Sequence, residues 1–237
     1  MSKPFHFKQF SIEQDRCAMK VGMDGVLLGA WVRVNNAKSF LDVGTGTGLI
    51  SLQIAQRFNN VEKIQAIDVD EDAVCQANQN FNNSQWSNRL SVDVSSLQEF
   101  NSDLKFDHII SNPPFFKEGT LITDKSRSLA RYSTSLPLDE LVEHAIRLSG
   151  DKVCISLILP FQLLSEIEAV ALNFGLCIAR LTCVKTRMNK AVERILVELS
   201  SVQVEKIRDE LVVLEGKGRH DYTREYVMLV KEFYTIL

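Results

Sequence analysis

The chain has 237 residues, 45% of them hydrophobic, and a formal net charge of −3 at pH 7. This size and composition are typical of one soluble globular domain, and no apolar run reaches the roughly 18 residues that a membrane-spanning helix needs. The negative net charge excludes a whole-protein electrostatic attraction to nucleic acid, so binding of that kind must use local basic patches.

The N-terminal stretch MSKPFHFKQF lacks the apolar core of a signal peptide. The five cysteines are odd in number and form no C-x-x-C pair, which favours neither a disulfide framework nor a zinc site. These features predict a cytoplasmic protein with buried thiols, no bound metal and no membrane attachment.

Strand-like and helix-like segments alternate along the chain. Seven short apolar segments are predicted as strands: 39–43, 63–69, 89–94, 106–111, 152–159, 176–184 and 193–201. Four amphipathic segments are predicted as helices: 49–58, 70–81, 138–149 and 161–175. Asp70 is the expected cap of the second helix, and Thr223 is the expected cap of a further helix near the C-terminus.

Alternating strands and helices with short connections predict an α/β fold with a doubly wound, mostly parallel sheet of seven strands. The last two strands have no clear helix between them, so they are expected to form an antiparallel edge. We predict a single domain over 1–237, with an N-terminal arm or lid (1–35), a core sheet (36–201) and a C-terminal extension (202–237). Ligands of such sheets bind beyond the carboxyl ends of the strands.

Three of those strand ends carry glycines or acids. The loop GTGTG follows the first strand and contains Gly44, Gly46 and Gly48, which allow tight turns and close approach of a ligand. Asp68 ends the second strand, where a carboxylate can accept hydrogen bonds from ribose hydroxyls. Asp93 lies near the end of the third strand, either beside an adenine ring or as a simple turn residue.

Asp42 at the loop entrance distinguishes between two nucleotide cofactors. A carboxylate there repels a pyrophosphate but suits an ammonium group, and S-adenosylmethionine (SAM) has an ammonium and no phosphate. The stretches LDVGTGTG and AIDVDEDAV, 41–48 and 66–74, resemble the first two motifs of class I SAM-dependent methyltransferases. The resemblance implies a Rossmann-like fold and a cofactor site made of these residues: Asp24, Asp42, Gly44, Thr45, Gly46, Gly48, Asp68, Asp93 and Asn112.

The fourth strand ends in SNPPF, which is similar to the [ND]-PP-[YFW] motif of amino-methyltransferases. The resemblance implies that the Asn112 side chain and the Pro113 carbonyl accept the two hydrogens of a target amine. Pro113 and Pro114 stiffen the loop, and Phe115 offers a face on which a flat base stacks. No charged general base is required. A Pro-Pro turn with apolar packing is the structural alternative.

This motif serves adenine-N6, guanine-N2, cytosine-N4 and protein glutamine methylation. The substrate must therefore be inferred from the sequence outside the motif. The stretch FHFKQFSIEQDRCAMKVGMDGVLLGAW, 5–31, and the tail RHDYTREYVMLVKEFY, 219–234, resemble the bacterial methyltransferases that modify adenine-37 of a valine tRNA at N6. Met23 departs from that pattern, in which a small residue is expected. The alternatives are a ribosomal RNA guanine-N2 or a protein glutamine N5 methyltransferase, and a non-catalytic protein with this fold.

Outside the motifs, two regions have open interpretations. Asp24 is expected at a helix start, either as a cap or as part of a lid over the methionine end of SAM. The residues Phe5, Phe7 and Phe10 suit base stacking or packing of an arm on the domain equally well.

Basic residues in two segments are the candidates for tRNA backbone contacts: Lys185, Arg187, Lys190, Arg219 and Arg224. Ordinary solvated surface charge is the alternative for each patch. No obligatory protein partner is inferred.

Overall fold

The computed structural model describes residues 3–34, 36–114, 136–216, 218 and 220–235. Ten strands lie in these ranges, in chain order β1 Phe5–His6, β2 Ser11–Ile12, β3 Ser39–Val43, β4 Lys63–Asp68, β5 Leu90–Val94, β6 His108–Ser111, β7 Cys154–Pro160, β8 Cys177–Arg187, β9 Arg194–Ser200 and β10 Ile207–Leu214. Six α-helices lie there as well: α1 Met23–Trp31, α2 Leu49–Arg57, α3 Glu71–Asn82, α4 Leu138–Leu148, α5 Leu164–Asn173 and α6 Arg224–Val230. None of these helices is long and apolar enough to cross a membrane.

Eight strands form one sheet in the order β10-β8-β9-β7-β6-β3-β4-β5, and β1 and β2 form a separate antiparallel pair. All neighbours in the large sheet run parallel except at β9, which is antiparallel to both β7 and β8. The predicted class, a doubly wound and mostly parallel sheet, is confirmed. The carboxyl ends of β3 to β8 and of β10 point the same way, and we call this side of the sheet the carboxyl edge.

The sheet differs from the prediction in two details. It has an eighth strand, β10, formed by residues assigned above to a C-terminal extension. The antiparallel strand β9 lies inside the sheet rather than at its edge. The sequence of β10 does not predict a buried strand because its first four residues, IRDE, are exposed on the sheet's outer margin.

Two apolar layers cover the sheet, and alternate residues of β3 face each of them. Phe40 packs in the layer that contains α1, α2, α3 and α6, whereas Leu41 packs in the layer that contains α4 and α5. Burial of each such side chain contributes about 1.5–3 kcal/mol relative to exposure. Because both faces are covered, the central strands are apolar throughout and β3 is buried along its full length.

The N-terminal aromatic residues pack on the domain. Phe7 and Phe10 are buried, with their ring centroids 4.7 Å apart in a stacked arrangement. Phe7 also contacts Phe233 and Tyr234 of the C-terminal segment, and Phe10 contacts Trp86. Of the two interpretations of this arm, packing is therefore the one that the structure supports for Phe7 and Phe10.

Helix starts agree with the sequence in two places and differ in a third. Asp70 accepts a hydrogen bond from the Asp72 backbone N–H at α3, and Thr223 accepts one from the Tyr226 N–H at α6, as predicted. The prediction that Asp24 caps α1 is wrong, since Gly22 is the N-cap and Asp24 lies in the first turn. Its carboxylate is held elsewhere, by Arg194.

Candidate active site

The carboxyl edge brings the predicted motifs together. Val43, the last residue of β3, pairs with Ser111, the last residue of β6, and the Ser111 hydroxyl donates a hydrogen bond of 2.8 Å to the Val43 carbonyl. The glycine loop leaves β3 at this point and Asn112 leaves β6. The cofactor motif and the NPPF motif therefore begin side by side on neighbouring strands.

The glycine loop folds back onto the end of β4. The backbone N–H groups of Gly44 and Thr45 donate to the Ile67 carbonyl at 2.9 and 3.1 Å, and the Gly46 N–H donates to the Asp68 carboxylate at 2.8 Å. Gly44 and Gly46 have positive φ values, and a Cβ added at either would meet no atom within 4 Å. Open space lies over both glycines, so a ligand can approach the backbone closely.

Gly48 serves packing rather than ligand access. A Cβ at this position would lie 2.5 Å from the Phe81 ring, and its φ is +81°. The absence of a side chain thus lets the start of α2 sit against α3.

Asp42 is fully buried beneath the loop. One carboxylate oxygen accepts hydrogen bonds from the hydroxyls of Thr45 and Ser51, both at 2.7 Å, and the other has no hydrogen-bond partner among the described residues. Burial raises the pKa of Asp42 to about 6, against the lowering effect of the two hydroxyls. A buried carboxylate oxygen without a partner suits a cationic ligand group.

Asp68 lies on the same sheet face as Asp42, because Asp42 pairs with Ala66 and side chains two residues apart share a face. It is half-buried, and its two oxygens accept from the Gly46 and Asp70 N–H groups. Burial raises its pKa. Each oxygen retains a lone pair for a further donor such as a ribose hydroxyl.

The structure does not bring Asp93 to this site. Asp93 pairs with Ile67, one residue before Asp68, so its side chain lies on the opposite sheet face, where it accepts a hydrogen bond of 2.9 Å from Gln65. The assignment of Asp93 to an adenine ring is therefore corrected. After Asp93 the chain stays beside the end of β4, where the Ser95 N–H donates to the Asp68 carbonyl at 2.9 Å. Exposed Val69 adds apolar surface beside it.

Three residues of the NPPF motif follow β6 among the described residues. Asn112 is half-buried, Pro113 is buried and Pro114 is exposed. Phe115, predicted as the stacking face, lies outside the described residues.

Residues 18–22, between Cys17 and the start of α1, form an irregular, mostly exposed segment that we call the strap. Before it, Cys17 is buried close to the carboxylates of Asp68, Asp70 and Asp72, and burial with these charges raises its pKa to about 12. After it, Asp24 accepts a hydrogen bond of 2.8 Å from Arg194, the first residue of β9. The two ends of the strap thus lie at β4 and β9, four positions apart in the strand order, and between them the Val21 N–H donates a hydrogen bond of 3.0 Å to the Gln14 side chain.

The basic residues predicted to contact tRNA differ in their exposure and in the contacts that they already make. Lys185 forms an ion pair of 2.7 Å with Glu210, and Arg187 donates a hydrogen bond of 3.2 Å to the Gly218 carbonyl. Lys190 and Arg224 are exposed. Because β8 runs parallel to β7, Lys185, Arg187 and Lys190 lie at the carboxyl edge. Arg219 lies outside the described residues.

Three contributing residues escaped the sequence prediction. Ser51 holds Asp42, Arg194 holds Asp24, and Asn80 of α3 donates to the Thr47 carbonyl of the glycine loop at 2.8 Å. Only Ser51 had a visible signal, a hydroxyl in the first turn after the loop. The other two act across 170 and 33 residues of sequence separation, which no local pattern reveals.

A family model described as the methyltransferase small domain matches residues 20–134. A protein described as a predicted O-methyltransferase from Agrobacterium tumefaciens has the same fold, with a TM-score of 0.68 and 20% sequence identity, covering 89% of this chain and 96% of that one. The fold is thus Rossmann-like, and the matching family model indicates the methyltransferase class.

Two relatives narrow the class. The tRNA1(Val) (adenine(37)-N6)-methyltransferase of Christiangramia forsetii is 41% identical over 98% of each chain, and that of Flavobacterium johnsoniae is 42% identical over 97% of this chain and 98% of its own. The chain belongs to the family of these tRNA adenine-N6 methyltransferases.

Proposed function

We propose that this protein transfers a methyl group from SAM to N6 of adenine-37 in a valine tRNA. The observation that carries the proposal is the side-by-side exit of the glycine loop and of Asn112-Pro113 from paired strand ends. The substrate comes from the names of relatives that align over nearly the whole chain. A tRNA substrate also implies action in the cytoplasm.

The charge of the site supports SAM over a dinucleotide. Asp42 and Asp68 face the same side, and Asp70 and Asp72 stand close by, around Cys17. Such a site attracts the ammonium and sulfonium charges of SAM and repels a pyrophosphate. In this proposal the free oxygen of Asp42 serves the ammonium end, Asp68 the ribose, and the open space above Gly44 and Gly46 receives the chain between them.

When bound, SAM supplies an electrophilic methyl group. The chain's own residues then have to hold a weak nucleophile in line with it, because the adenine N6 lone pair is delocalised into the ring. The Asn112 side-chain oxygen and the Pro113 carbonyl accept the two N6 hydrogens, which directs the lone pair toward the cofactor side of the sheet. The contribution is one of positioning, and no charged base is needed for it.

Nucleoside mass spectrometry tests the proposal. The protein is incubated with isotopically labelled SAM and with tRNA from cells that lack this gene, and the tRNA is digested to nucleosides and mapped by fragment. We expect label in N6-methyladenosine from one fragment, the anticodon loop of a valine tRNA. Label in methylguanosine or in protein would support one of the alternative substrates, and absence of any transfer would support a non-catalytic role.

An Asn112→Ala variant is the control for mechanism in the same assay. Loss of the acceptor should reduce turnover by at least roughly 100-fold. SAM affinity, measured by calorimetry, should change much less, because Asn112 acts on the amine. Full turnover in this variant would contradict the assigned role.

A further inference from the structure

A buried serine ends the apolar strand β6. The two residues before it, Ile109 and Ile110, are fully buried apolar side chains, and Ser111 itself is only 1% exposed. Burial of a hydroxyl group is unfavourable unless the group forms a hydrogen bond. A β-branched apolar side chain would suit a buried strand position better, so a serine at this position indicates a role for its hydroxyl.

The Ser111 hydroxyl holds the entrance of the glycine loop. It donates a hydrogen bond of 2.8 Å to the Val43 carbonyl, and the N–H group of the same peptide unit, that of Gly44, donates to the Ile67 carbonyl at 2.9 Å. The peptide unit between Val43 and Gly44 is therefore bonded to β6 on one side and to β4 on the other. Because a peptide unit is planar, these two bonds fix its orientation between the two strands.

This peptide unit lies between the two halves of the site. On β4, Ile67 lies one residue before Asp68, which serves the ribose in the proposed function. On β6, Ser111 lies one residue before Asn112, which serves the target amine. The hydrogen bond from Ser111 therefore ties the strand end that leads to the amine-binding residue to the loop that receives the cofactor.

Ser111 lies on the sheet face opposite to the cofactor carboxylates. It pairs with Val43 and with Leu157, and both of these pack in the apolar layer that contains α4 and α5. Asp42 pairs with Ile110, one residue earlier, so the Asp42 side chain lies on the other face. A hydroxyl buried on the far face acts on the reaction through the backbone that it holds.

We propose that Ser111 is a positioning residue that sets the distance between the methyl donor and the acceptor amine. The inference rests on the proposed function and adds to it a residue that contacts neither substrate. By linking β6 to the loop entrance, the hydroxyl keeps Asn112 and Pro113 in register with a methyl group held over the glycine loop. A displacement of about 1 Å between reacting groups costs roughly 100-fold in rate, so the loss of this hydrogen bond should slow the transfer step.

The test separates the transfer step from binding. Single-turnover methylation is measured with valine tRNA and SAM, both at saturating concentration. Affinity for S-adenosylhomocysteine is measured by calorimetry, and affinity for the tRNA by filter binding. The first variant is Ser111→Ala, which removes the hydroxyl, and the second is Ser111→Thr, which retains a hydroxyl donor.

Ser156→Ala is the matched control. Ser156 lies on the neighbouring strand β7 and is fully buried, and its hydroxyl forms a hydrogen bond of 2.9 Å with Nε2 of His108. It pairs with Ile110, one residue before Ser111. The control therefore removes an equally buried hydroxyl and one hydrogen bond from the same part of the sheet, but not the bond to the loop entrance.

We expect Ser111→Ala to lower the single-turnover rate constant by roughly tenfold or more, because the two strand ends are no longer tied together. Its affinities for S-adenosylhomocysteine and for tRNA should stay within about threefold of wild type, and Ser111→Thr should recover most of the rate. Both alanine variants should lower Tm by a similar few degrees, which is the effect of losing one buried hydrogen bond. Ser156→Ala should keep the rate within about twofold of wild type.

Several results would overturn the inference. A Ser111→Ala rate within about twofold of wild type, or an equal loss of rate in Ser156→Ala, would remove the special role of this hydroxyl. A loss of S-adenosylhomocysteine affinity in proportion to the loss of rate would assign Ser111 to cofactor binding. Failure of Ser111→Ala to fold, or of a folded Ser111→Thr to recover the rate, would also contradict a positioning role of the hydroxyl.

Failure of the proposed function gives a different result. Wild-type protein that transfers no methyl group to adenine would overturn the proposed function and the inference with it. Active wild-type protein together with an equally active Ser111→Ala variant would overturn the inference alone.

Discussion

At the scale of single residues, the central feature is a carboxylate that is held on one side only. Thr45 and Ser51 bind one oxygen of Asp42, which fixes the orientation of the group. The other oxygen is buried without a hydrogen-bond partner among the described residues. Such a group is unfavourable in the empty protein and becomes favourable when a cation pairs with it.

This arrangement predicts that SAM affinity falls in mild acid. The pKa of Asp42 is about 6 in the folded protein, above the ordinary value near 4 because of burial. Between pH 7 and pH 5 the ionised fraction of such a group falls about tenfold, and SAM affinity should fall with it. Calorimetric titration of SAM across this range measures the effect.

An Asp42→Asn variant provides the matched control, since the hydroxyls of Thr45 and Ser51 can still donate to its amide oxygen. It should bind SAM more weakly at pH 7 and show a flatter pH dependence. The change of folding stability with pH also has a defined sign. A raised carboxyl pKa lowers the stability of the wild type as pH rises from about 4 to 6, and the variant should lack that decline. Equal pH profiles for both proteins would exclude Asp42 as the titrating group.

Some residues of the site can be placed from the sequence alone, whereas others cannot. Asp42, Asp68 and the glycines could be placed because each ends a strand, and strand ends meet at one edge. Asp93 satisfied the same rule but was misplaced, since the face of a strand depends on register, and one residue reverses it. The Asp24–Arg194 pair could not be foreseen because it joins residues 170 positions apart.

At the scale of elements, α3 connects the arm to the glycine loop. The Asn80 amide donates to the carbonyls of Thr47 and Glu13 and accepts from the Glu13 N–H, at 2.8 to 2.9 Å. One turn earlier, Gln76 accepts from the Arg16 N–H at 3.1 Å. These two buried amides hold the chain that leads into the strap, so order in the strap depends on α3.

We predict that Asn80→Leu weakens both stability and SAM binding. The substitution leaves the buried Thr47 carbonyl without its partner, at a cost of about 1–3 kcal/mol, and removes two part-buried hydrogen bonds to the Glu13 backbone. Chemical denaturation and SAM calorimetry measure the two effects. Asn83→Leu is the control, since Asn83 ends the same helix and is exposed. A stable variant with normal SAM affinity would show that α3 does not support the cofactor site through Asn80.

The elements were predicted best where burial is complete. β3, β4, β6 and β7 are apolar runs between turn residues, and all four appear close to their predicted bounds. The sequence does not predict β10, because the exposed half of this strand has the polar composition of a loop. Without β10, the pair of β8 and β9 is predicted to form the edge of the sheet. The hairpin of β8 and β9 followed from their adjacency in sequence.

At the scale of the whole molecule, the net charge and the described part of the surface do not favour strong electrostatic attraction to RNA. The net charge is −3, and Glu210, Glu215 and Glu225 line an open cleft of about 480 Å³ beside Met188. Lys185 is already paired with Glu210. From the described residues alone, we therefore expect recognition of a highly charged tRNA to use few phosphate contacts together with contacts that carry no charge.

This balance predicts a shallow salt dependence of tRNA binding. Each neutralised phosphate contributes about 0.7–0.9 to the slope of log affinity against log salt, so two or three contacts give a slope of about −2 to −3. Lys190→Ala should reduce the magnitude by close to one contact. Lys152→Ala should leave it unchanged, because Lys152 is exposed just before β7, at the end of the sheet away from the site. Filter binding across a salt series measures the slope. A wild-type slope steeper than about −5, or an equal effect of the two substitutions, would mean that RNA binds through a larger basic surface than the described residues provide.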